Sequence, residues 1–353
     1  MKKIRLLLIL CLGLLMLPAG ARAEEEAQPV DVNEVVFGHI QDAYEWHIVT
    51  VGDKKVSIPL PVIVKSSTGW HCFSSARLED GAVYEGLYIA REGAYKDKIV
   101  ERDTSGNEIR PWDISITKNV LAMMINSVLL VWIMLACARW YKRHEVSQGA
   151  PKGGVGMMEY LILMIHDDVI KGGIGPDYKR YAPYLLTAFF FILINNLMGL
   201  VPIFPGGANV TGNIAITMVL ALCTFILTNV YGTKTYWKDI FWPDVPTWLK
   251  VPIPMMPLIE FFGIFTKPFA LMIRLFANIM AGHAAVLSLV AIIFITVKAG
   301  PVINGSMTVV AVLFGIFMDA LELLVAFIQA YVFTMLSSVF IGLSRIQHEH
   351  AEK

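Results

Sequence analysis

Apolar residues form long runs separated by short polar breaks over most of this 353-residue chain. The runs at about 119–138, 184–204 and 214–231 are each long enough to cross a hydrocarbon layer of about 30 Å as a helix. The runs at 257–297 and 306–343 are roughly twice as long as one crossing needs. The pattern therefore predicts five crossings, with the last two helices broken, strongly tilted or partly outside the lipid.

A shorter apolar segment at about 157–170 has a different character. It is apolar on one side and carries His166, Asp167 and Asp168. Such a segment is typical of a helix that lies in the membrane interface rather than one that spans the bilayer. We therefore expect an interfacial helix between the first two crossings.

The N-terminal third of the chain lacks these long runs. Residues 1–23 combine a basic start, a short apolar run and a small-x-small site, which is the pattern of a cleaved signal peptide. Residues 24–118 contain 17 acidic and 10 basic residues, and alternating runs such as 56–64 predict short strands. We expect a small β-rich extracytoplasmic head at 24–118, a membrane domain at 119–345 and a cytoplasmic tail at 346–353.

One group of polar residues in the head allows two interpretations. His39, Asp42, Glu45 and His47 could form a metal cluster. The preferred interpretation is a hydrogen-bonded polar stretch beside the membrane. The sequence therefore predicts no metal site.

Composition agrees with a membrane protein. Hydrophobic residues make up 56 % of the chain and charged residues 16 %, and the mean hydropathy is +0.59. These values exclude disordered, collagen-like and nucleic-acid-binding classes. The four cysteines, at 11, 72, 137 and 223, are too few and too scattered for a disulfide framework or a zinc site.

The distribution of basic residues predicts the orientation. With residue 24 outside the cytoplasm, five crossings place every basic cluster on the cytoplasmic side, as the positive-inside rule requires. The loop 201–213 has no charge and lies on the opposite side. The basic residues of these clusters are Arg139, Lys142, Arg143, Lys152, Lys171, Lys179, Arg180, Lys234, Lys238, Lys250, Arg345 and Lys353.

Polar residues inside the two long runs are the candidate functional residues, because a charge at the bilayer centre costs at least about 2.5 to 3.5 kcal/mol. Heptad spacing places the three charges of the fourth run on one helical face. The candidates are Glu260, Lys267, Arg274, Asn278 and His283 in the fourth run and Asp319, Glu322 and Gln329 in the last.

Arg274 is the hardest of these residues to explain as ordinary structure. Apolar residues flank it on both sides, and a guanidinium stays charged at any accessible pH. It needs an anionic partner or an aqueous cavity, and a static pair with Glu322 is one alternative. Glu260 and Lys267 lie near a cytoplasmic loop, where snorkelling or surface pairing could satisfy them. His283 and Glu322 can exchange protons, so we interpret them as a relay.

The sequence contains no G-x-x-x-x-G-K-[ST] phosphate loop and no nucleophile–base arrangement. We therefore expect no catalytic site and no cofactor. If ATP is involved, another chain binds it.

Three segments resemble the signature of subunit a of F-type ATP synthases. They are K-P-F-A-L-M-I-R-L-F-A-N-I-M-A-G-H at 267–283, E-L-L-V-A-F-I-Q-A-Y-V-F at 322–333 and N-L-M-G-L-V-P at 196–202. The resemblance covers about residues 115 to 345 and leaves the head without a family role. Some bacterial members have Glu at position 283 and His at position 322. Here the two residues are exchanged, so an acid–imidazole pair is kept.

The resemblance implies a proton-translocating stator subunit in the bacterial inner membrane, with its last two helices tilted against a ring of c subunits. Its partners would be the c-subunit ring, the b-subunit peripheral stalk and the remaining ATP synthase subunits. Arg274 would face the ring and separate two aqueous half-channels. The proton path would include Asn278, His283, Glu322, Gln329 and Glu260, with Lys267, Asp319, Asn196 and Asn213 as possible supporting residues.

Two other functions remain open on sequence alone. A secondary ion-coupled transporter would show an inverted repeat with two matching broken helices, which is not evident in the sequence. A membrane-anchored sensor would have its function in the head and would not need Arg274. Within the ATP synthase interpretation, the head would be a lid near the proton inlet or a docking surface, and the His283 and Glu322 pair favours H⁺ over Na⁺.

Overall fold

The computed structural model describes residues 41–51, 54–103, 106–144, 149, 151–201, 204–242 and 255–345, with backbone alone at 49–51, 54–55 and 80. The expected signal peptide at 1–23, the tail at 346–353 and the first part of the head lie outside the described residues.

The described part of the head contains eight short strands in three small antiparallel sheets. The first sheet has order β1-β2, the second β4-β3-β8 and the third β5-β6-β7. This confirms a β-rich N-terminal domain. The strands are β1 Glu45–Val51, β2 Lys54–Pro59, β3 Pro61–Ser66, β4 Gly69–Ser74, β5 Leu87–Ile89, β6 Ile99–Arg102, β7 Glu108–Ile109 and β8 Trp112–Asp113.

The alternating run at 56–64 forms parts of two strands rather than one. Pro59 and Pro61 flank the break at Leu60. Proline has no backbone N–H, so neither residue can donate a hydrogen bond to a neighbouring strand. β2 therefore pairs with β1, whereas β3 pairs with β4 and β8. Val62 and Val64 of β3 are fully buried in the head core with Tyr44, whose hydroxyl donates to Asp113. Burial, with that hydrogen bond, raises the pKa of Tyr44.

The head joins the first membrane helix without a linker. The backbone amide of Lys118 donates to the carbonyl of Ala43 at 2.9 Å. Asp42 accepts hydrogen bonds from the Thr117 hydroxyl at 2.7 Å and from the Asn119 amide at 3.0 Å. A carboxylate at this position satisfies a donor at the helix N-terminus, so the head and the helix are connected by direct contacts.

Helices make up the rest of the described chain. A π-helical segment, Met164–Lys171, and short turns at 172–177 connect α2 to α3. The bounds are α1 Lys118–Arg143, α2 Gly154–Leu163, α3 Tyr178–Leu200, α4 Ile214–Val230, α5 Lys234–Phe241, α6 Met255–Ile295 and α7 Pro301–Arg345.

Four helical stretches of the described residues are long and apolar enough to cross a membrane. A fifth is possible if α4 and α5, which meet at a 98° bend, count as one span. The chain is therefore a polytopic membrane protein with four or five candidate spans. The predicted interfacial segment is helical and amphipathic: Ile165, Val169 and Ile170 are buried, whereas Asp167 and Asp168 are exposed.

The two oversized apolar runs form single helices. α6 continues through Pro268 for 41 residues and α7 continues for 45. At 1.5 Å per residue each helix is more than about 60 Å long, roughly twice the hydrocarbon thickness. Of the three expectations for these runs, a break inside the run is therefore wrong. Tilt and extension beyond the lipid stay as predictions.

Small residues allow α7 to pack closely on α3 and on the segment before it. The buried face of α7 includes Ala326, Ala330, Ser338 and Gly342. The Ser338 hydroxyl donates to the carbonyl of Val169 in the π-helical segment at 2.9 Å. Close approach through small residues is a common way for membrane helices to gain packing energy.

Candidate functional site

Arg274 lies on the exposed side of α6. Leu271, Leu275 and Ile279 form the opposite side and are buried in the helical core, while Arg274 and Asn278, one turn apart, are exposed. Among the described residues Arg274 has no ion pair and no hydrogen-bond partner. The alternative of a static Arg274–Glu322 pair is therefore wrong for this structure.

His283 and Glu322 form the acid–imidazole pair across the contact between α6 and α7. His283 Nδ1 lies 3.8 Å from Glu322 Oε2. The side chains are 19 % and 10 % exposed, and Glu322 Oε1 is buried without a hydrogen-bond partner among the described protein groups. A buried carboxylate oxygen needs a hydrogen-bond donor. The two side chains therefore lie close together, at a separation longer than a direct hydrogen bond.

Two glycines adjoin the pair, and one of them leaves room for the Glu322 carboxylate. A Cβ at position 282 would lie 2.7 Å from Glu322 Oε1. A Cβ at position 199, near the end of α3, would lie 3.6 Å from His283 Nε2 and 3.5 Å from the carbonyl oxygen of Ala208. The loop between α3 and α4 therefore closely approaches the end of α3 that meets the imidazole.

Asn196 connects that loop to α7. Its Nδ2 donates to the carbonyl of Ala326 at 3.1 Å, and its Oδ1 accepts a hydrogen bond from the Thr211 hydroxyl at 2.6 Å. Both Asn196 and Thr211 are buried. Gln329 is also buried, one helical turn from Ala326 on α7. The structure thus places Asn196 and Gln329 near the same part of α7.

The other predicted residues have varied surroundings. Asp319 is exposed, so the three polar residues of α7 differ in burial, from exposed Asp319 through half-buried Glu322 to buried Gln329. Asn213 caps α4, since its Oδ1 accepts a hydrogen bond from the Ala215 amide at 3.0 Å. This gives Asn213 a structural role.

Lys267 lies nearer the basic end of the membrane domain than Arg274. With Thr228, Asn229 and Tyr236 it lines a cavity of about 20 Å³, which has room for one water molecule. Glu260 lies two turns before Lys267 and is half-buried. These residues are therefore separated along α6 from the His283 and Glu322 pair.

Sequence reasoning missed a group of buried asparagines on the head side of the membrane domain. Asn126 Nδ2 of α1 donates to Asn195 Oδ1 of α3 at 3.0 Å. Asn119, Asn126 and Asn209 each have a buried polar atom that lacks a partner among the described groups. The available signal was the presence of amides in otherwise apolar runs, where a polar group must find a hydrogen bond.

In the head, the structure gives Asp42 a role that differs from the metal alternative. Both of its carboxylate oxygens accept hydrogen bonds at the start of α1. His39 lies outside the described residues, and the part of the head that is described contains no group of three possible metal-ligating side chains.

Comparisons with known proteins agree with the signature. The family model "ATP synthase A chain" matches residues 120–342. An ATP synthase subunit a of Chlorobium phaeobacteroides (strain DSM 266) is 45 % identical over 246 residues, covering 68 % of this chain and 68 % of the relative. Those of Chloroherpeton thalassium and Myxococcus xanthus are 42 % and 41 % identical, covering 70 % and 67 % of this chain and 71 % and 75 % of the relatives.

This chain belongs to the ATP synthase subunit a family. Family membership confirms the function expected for the whole subunit: it is the proton-translocating stator subunit of an F-type ATP synthase and is not a catalytic enzyme by itself. It decides against the transporter and sensor alternatives. The head matches a separate model, "Domain of unknown function (DUF8433)", over residues 35–115.

Proposed function

We propose that α6 and α7 form the two half-channels of this subunit a and present Arg274 to a ring of c subunits. The observation that carries the proposal is a guanidinium, on an exposed face of a membrane helix, that has no partner within the described parts of the chain. Such a charge needs an anion or water inside the bilayer, and a ring that presents one carboxylate after another would supply the anion.

The exposed face around Arg274 carries small residues, which leave room for another helix to pass. Ala270, Ala277 and Ala281 lie at i−4, i+3 and i+7 from Arg274, and all three are exposed. Small residues at this spacing let another helix approach closely. This supports direct contact between α6 and the ring at the height of Arg274.

Protons would enter from the head side and reach the ring through the His283 and Glu322 pair. Asn196 of α3, Gln329 of α7 and Asn278 of α6 would complete this inlet. A protonated ring carboxylate is neutral and can face lipid, whereas an ionised one cannot do so at low cost. Protonation at the inlet therefore allows the ring to turn away from Arg274.

Release would follow when the turning ring brings a protonated carboxyl back to Arg274. The positive charge favours the ionised carboxylate and repels a proton that would pass directly from inlet to outlet. Glu260, Lys267 and the cavity beside Tyr236 lie further towards the other end of α6 and would form the outlet. Each charge that crosses the membrane gains about 2.3 kcal/mol per 100 mV.

The proposed orientation places the head outside and the C-terminus in the cytoplasm of a bacterial inner membrane. The ends of α3, α4 and α7 that carry basic residues meet, since Arg345 Nε lies 2.8 Å from Asp177 Oδ2 and Arg345 Nη1 donates to the Tyr231 carbonyl at 3.0 Å. The head joins the opposite end. Further expected partners are the b-subunit stalk and the other ATP synthase subunits.

Replacement of Arg274 tests the proposal. In inverted membrane vesicles, Arg274→Gln and Arg274→Lys should assemble but abolish ATP-driven proton pumping, because the first lacks the charge and the second lacks the planar fork. Arg139→Gln, which removes an exposed arginine from α1, should pump as the parent does. Pumping by Arg274→Gln at the parental rate per assembled complex would contradict the proposal.

A further inference from the structure

The head contacts the membrane domain through one buried apolar cluster. It consists of Trp46 of β1, Ala122 of α1, and Ala208 and Val210 of the loop 204–213 between α3 and α4. Trp46 is 4 % exposed and Val210 is fully buried. The Trp46 ring also meets Phe204 edge to face, with ring centroids 5.1 Å apart. One tryptophan of the head therefore packs against both ends of this loop.

The same loop carries the polar groups that lead to the acid–imidazole pair. Thr211, next to Val210, donates to Asn196, which in turn donates to α7. The backbone carbonyl of Ala208 lies beside Gly199, the residue that adjoins His283. Asn209 bonds the Gly212 amide through Oδ1 and keeps a buried Nδ2 that needs an acceptor. Apolar and polar residues thus alternate along the loop, with the apolar ones against the head.

We propose that the head is a structural part of the proton inlet, in which Trp46 is a positioning residue that holds the loop 204–213 against α1 and α3. This inference rests on the proposed half-channels. With Trp46 in place, the loop keeps the Thr211–Asn196 hydrogen bond. It also lines the proposed proton path between the outer surface and Glu322. Asp42, bonded to the start of α1, holds β1 at the correct height for this contact.

A labelling experiment tests the placement of the loop. In the purified complex, with Cys72→Ser to remove the exposed cysteine of the head, Val210→Cys should react slowly with a water-soluble maleimide because position 210 is buried. Adding Trp46→Ala should speed this reaction at least about tenfold, because truncating a buried tryptophan opens the cluster. Trp112→Ala, at a tryptophan that is 76 % exposed on the head surface, should leave the rate unchanged.

The rate of ATP synthesis driven by an imposed proton gradient, per assembled complex, tests the consequence, because protons then enter from the head side. Trp46→Ala and Thr211→Val should each lower the initial rate of proton-driven ATP synthesis about tenfold, and the deficit should shrink when the head-side pH is lowered, because protons enter from that side during synthesis and a higher proton concentration compensates for a slower entry path. Trp46→Phe keeps an aromatic ring at the Phe204 contact and should restore most of the rate. If Trp46→Ala fails to assemble, Trp46→Leu takes its place.

The outcomes separate this inference from the proposed function. Unchanged labelling, or fast labelling with a parental rate of ATP synthesis at every head-side pH, would overturn the inlet role of the head and leave the half-channels intact. A deficit that does not depend on the inlet-side pH would also overturn it, since a purely structural loss has no such dependence. If Arg274→Gln pumps normally, the proposed half-channels fail whatever Trp46 does.

Discussion

At the scale of single residues, some candidate functional groups can be recognised in the sequence. Others can be recognised only from their contacts in the structure. Arg274, His283 and Glu322 stand out in the sequence because charges in apolar runs are costly. Thr211 and Asn126 do not stand out, since a hydroxyl or an amide is tolerated more easily. Their importance depends on partners 15 and 69 residues away, which no local pattern reveals.

Gly282 provides a test at this scale. Gly282→Ala places a Cβ where Glu322 Oε1 now lies, at 2.7 Å, so the carboxylate must move away from His283. We expect the pumping rate to fall about tenfold, as misplaced reacting groups commonly cause, while the amount of assembled complex stays normal. The measurement is ATP-driven pumping normalised to subunit a content.

Gly263→Ala is the matched control, because it lies on the same helix and a Cβ there meets nothing within 4 Å. Equal pumping by the two alanine variants would mean that the position of the Glu322 carboxylate does not limit proton transfer.

At the scale of elements, run length predicted the helices well and their continuity less well. The runs at 257–297 and 306–343 correspond to α6 and α7 within a few residues. Pro268 gave reason to expect a break, yet α6 continues through it as one helix. Hydropathy could not give the packing of α7, because small residues such as Ala330 and Gly342 acquire their role only from the helix that faces them.

Gly342 tests this packing. A Cβ at position 342 would lie 2.0 Å from the carbonyl oxygen of Gly173, and backbone cannot move aside as a flexible side chain can. Gly342→Ala should therefore destabilise the helical core by about 1–3 kcal/mol, the usual cost of overpacking. A lower thermal unfolding midpoint of the purified complex would report the loss.

Gly315→Ala on the same helix, where a Cβ meets nothing within 4 Å, should leave the midpoint unchanged or raise it slightly, since alanine favours a helix over glycine. If both variants unfold at the parental temperature, the close contact between α7 and residue 173 does not contribute to stability.

At the scale of the whole molecule, the fold separates two tasks. The core of α3, α6 and α7 fixes the position of the His283 and Glu322 pair, while the outer face of α6 around Arg274 stays exposed. The sequence predicted a separate head and a membrane domain that carries the candidate residues. It could not predict that Trp46 of the head touches the loop beside the pair, because that contact joins segments more than 150 residues apart in the chain.

The central claim is that the α6 face bearing Arg274 meets the rotor, and disulfide cross-linking tests it most directly. Cys72 is first replaced by serine and Cys137 and Cys223 by alanine, and a cysteine is placed in the c subunit one turn from its carboxylate. On mild oxidation, Ala277→Cys, which lies on the exposed face, should cross-link to the ring and stop ATP-driven pumping until a reductant is added. Leu275→Cys, on the buried face at the same height and 1 % exposed in the parent, should not. Cross-linking through position 275 but not 277 would contradict the account.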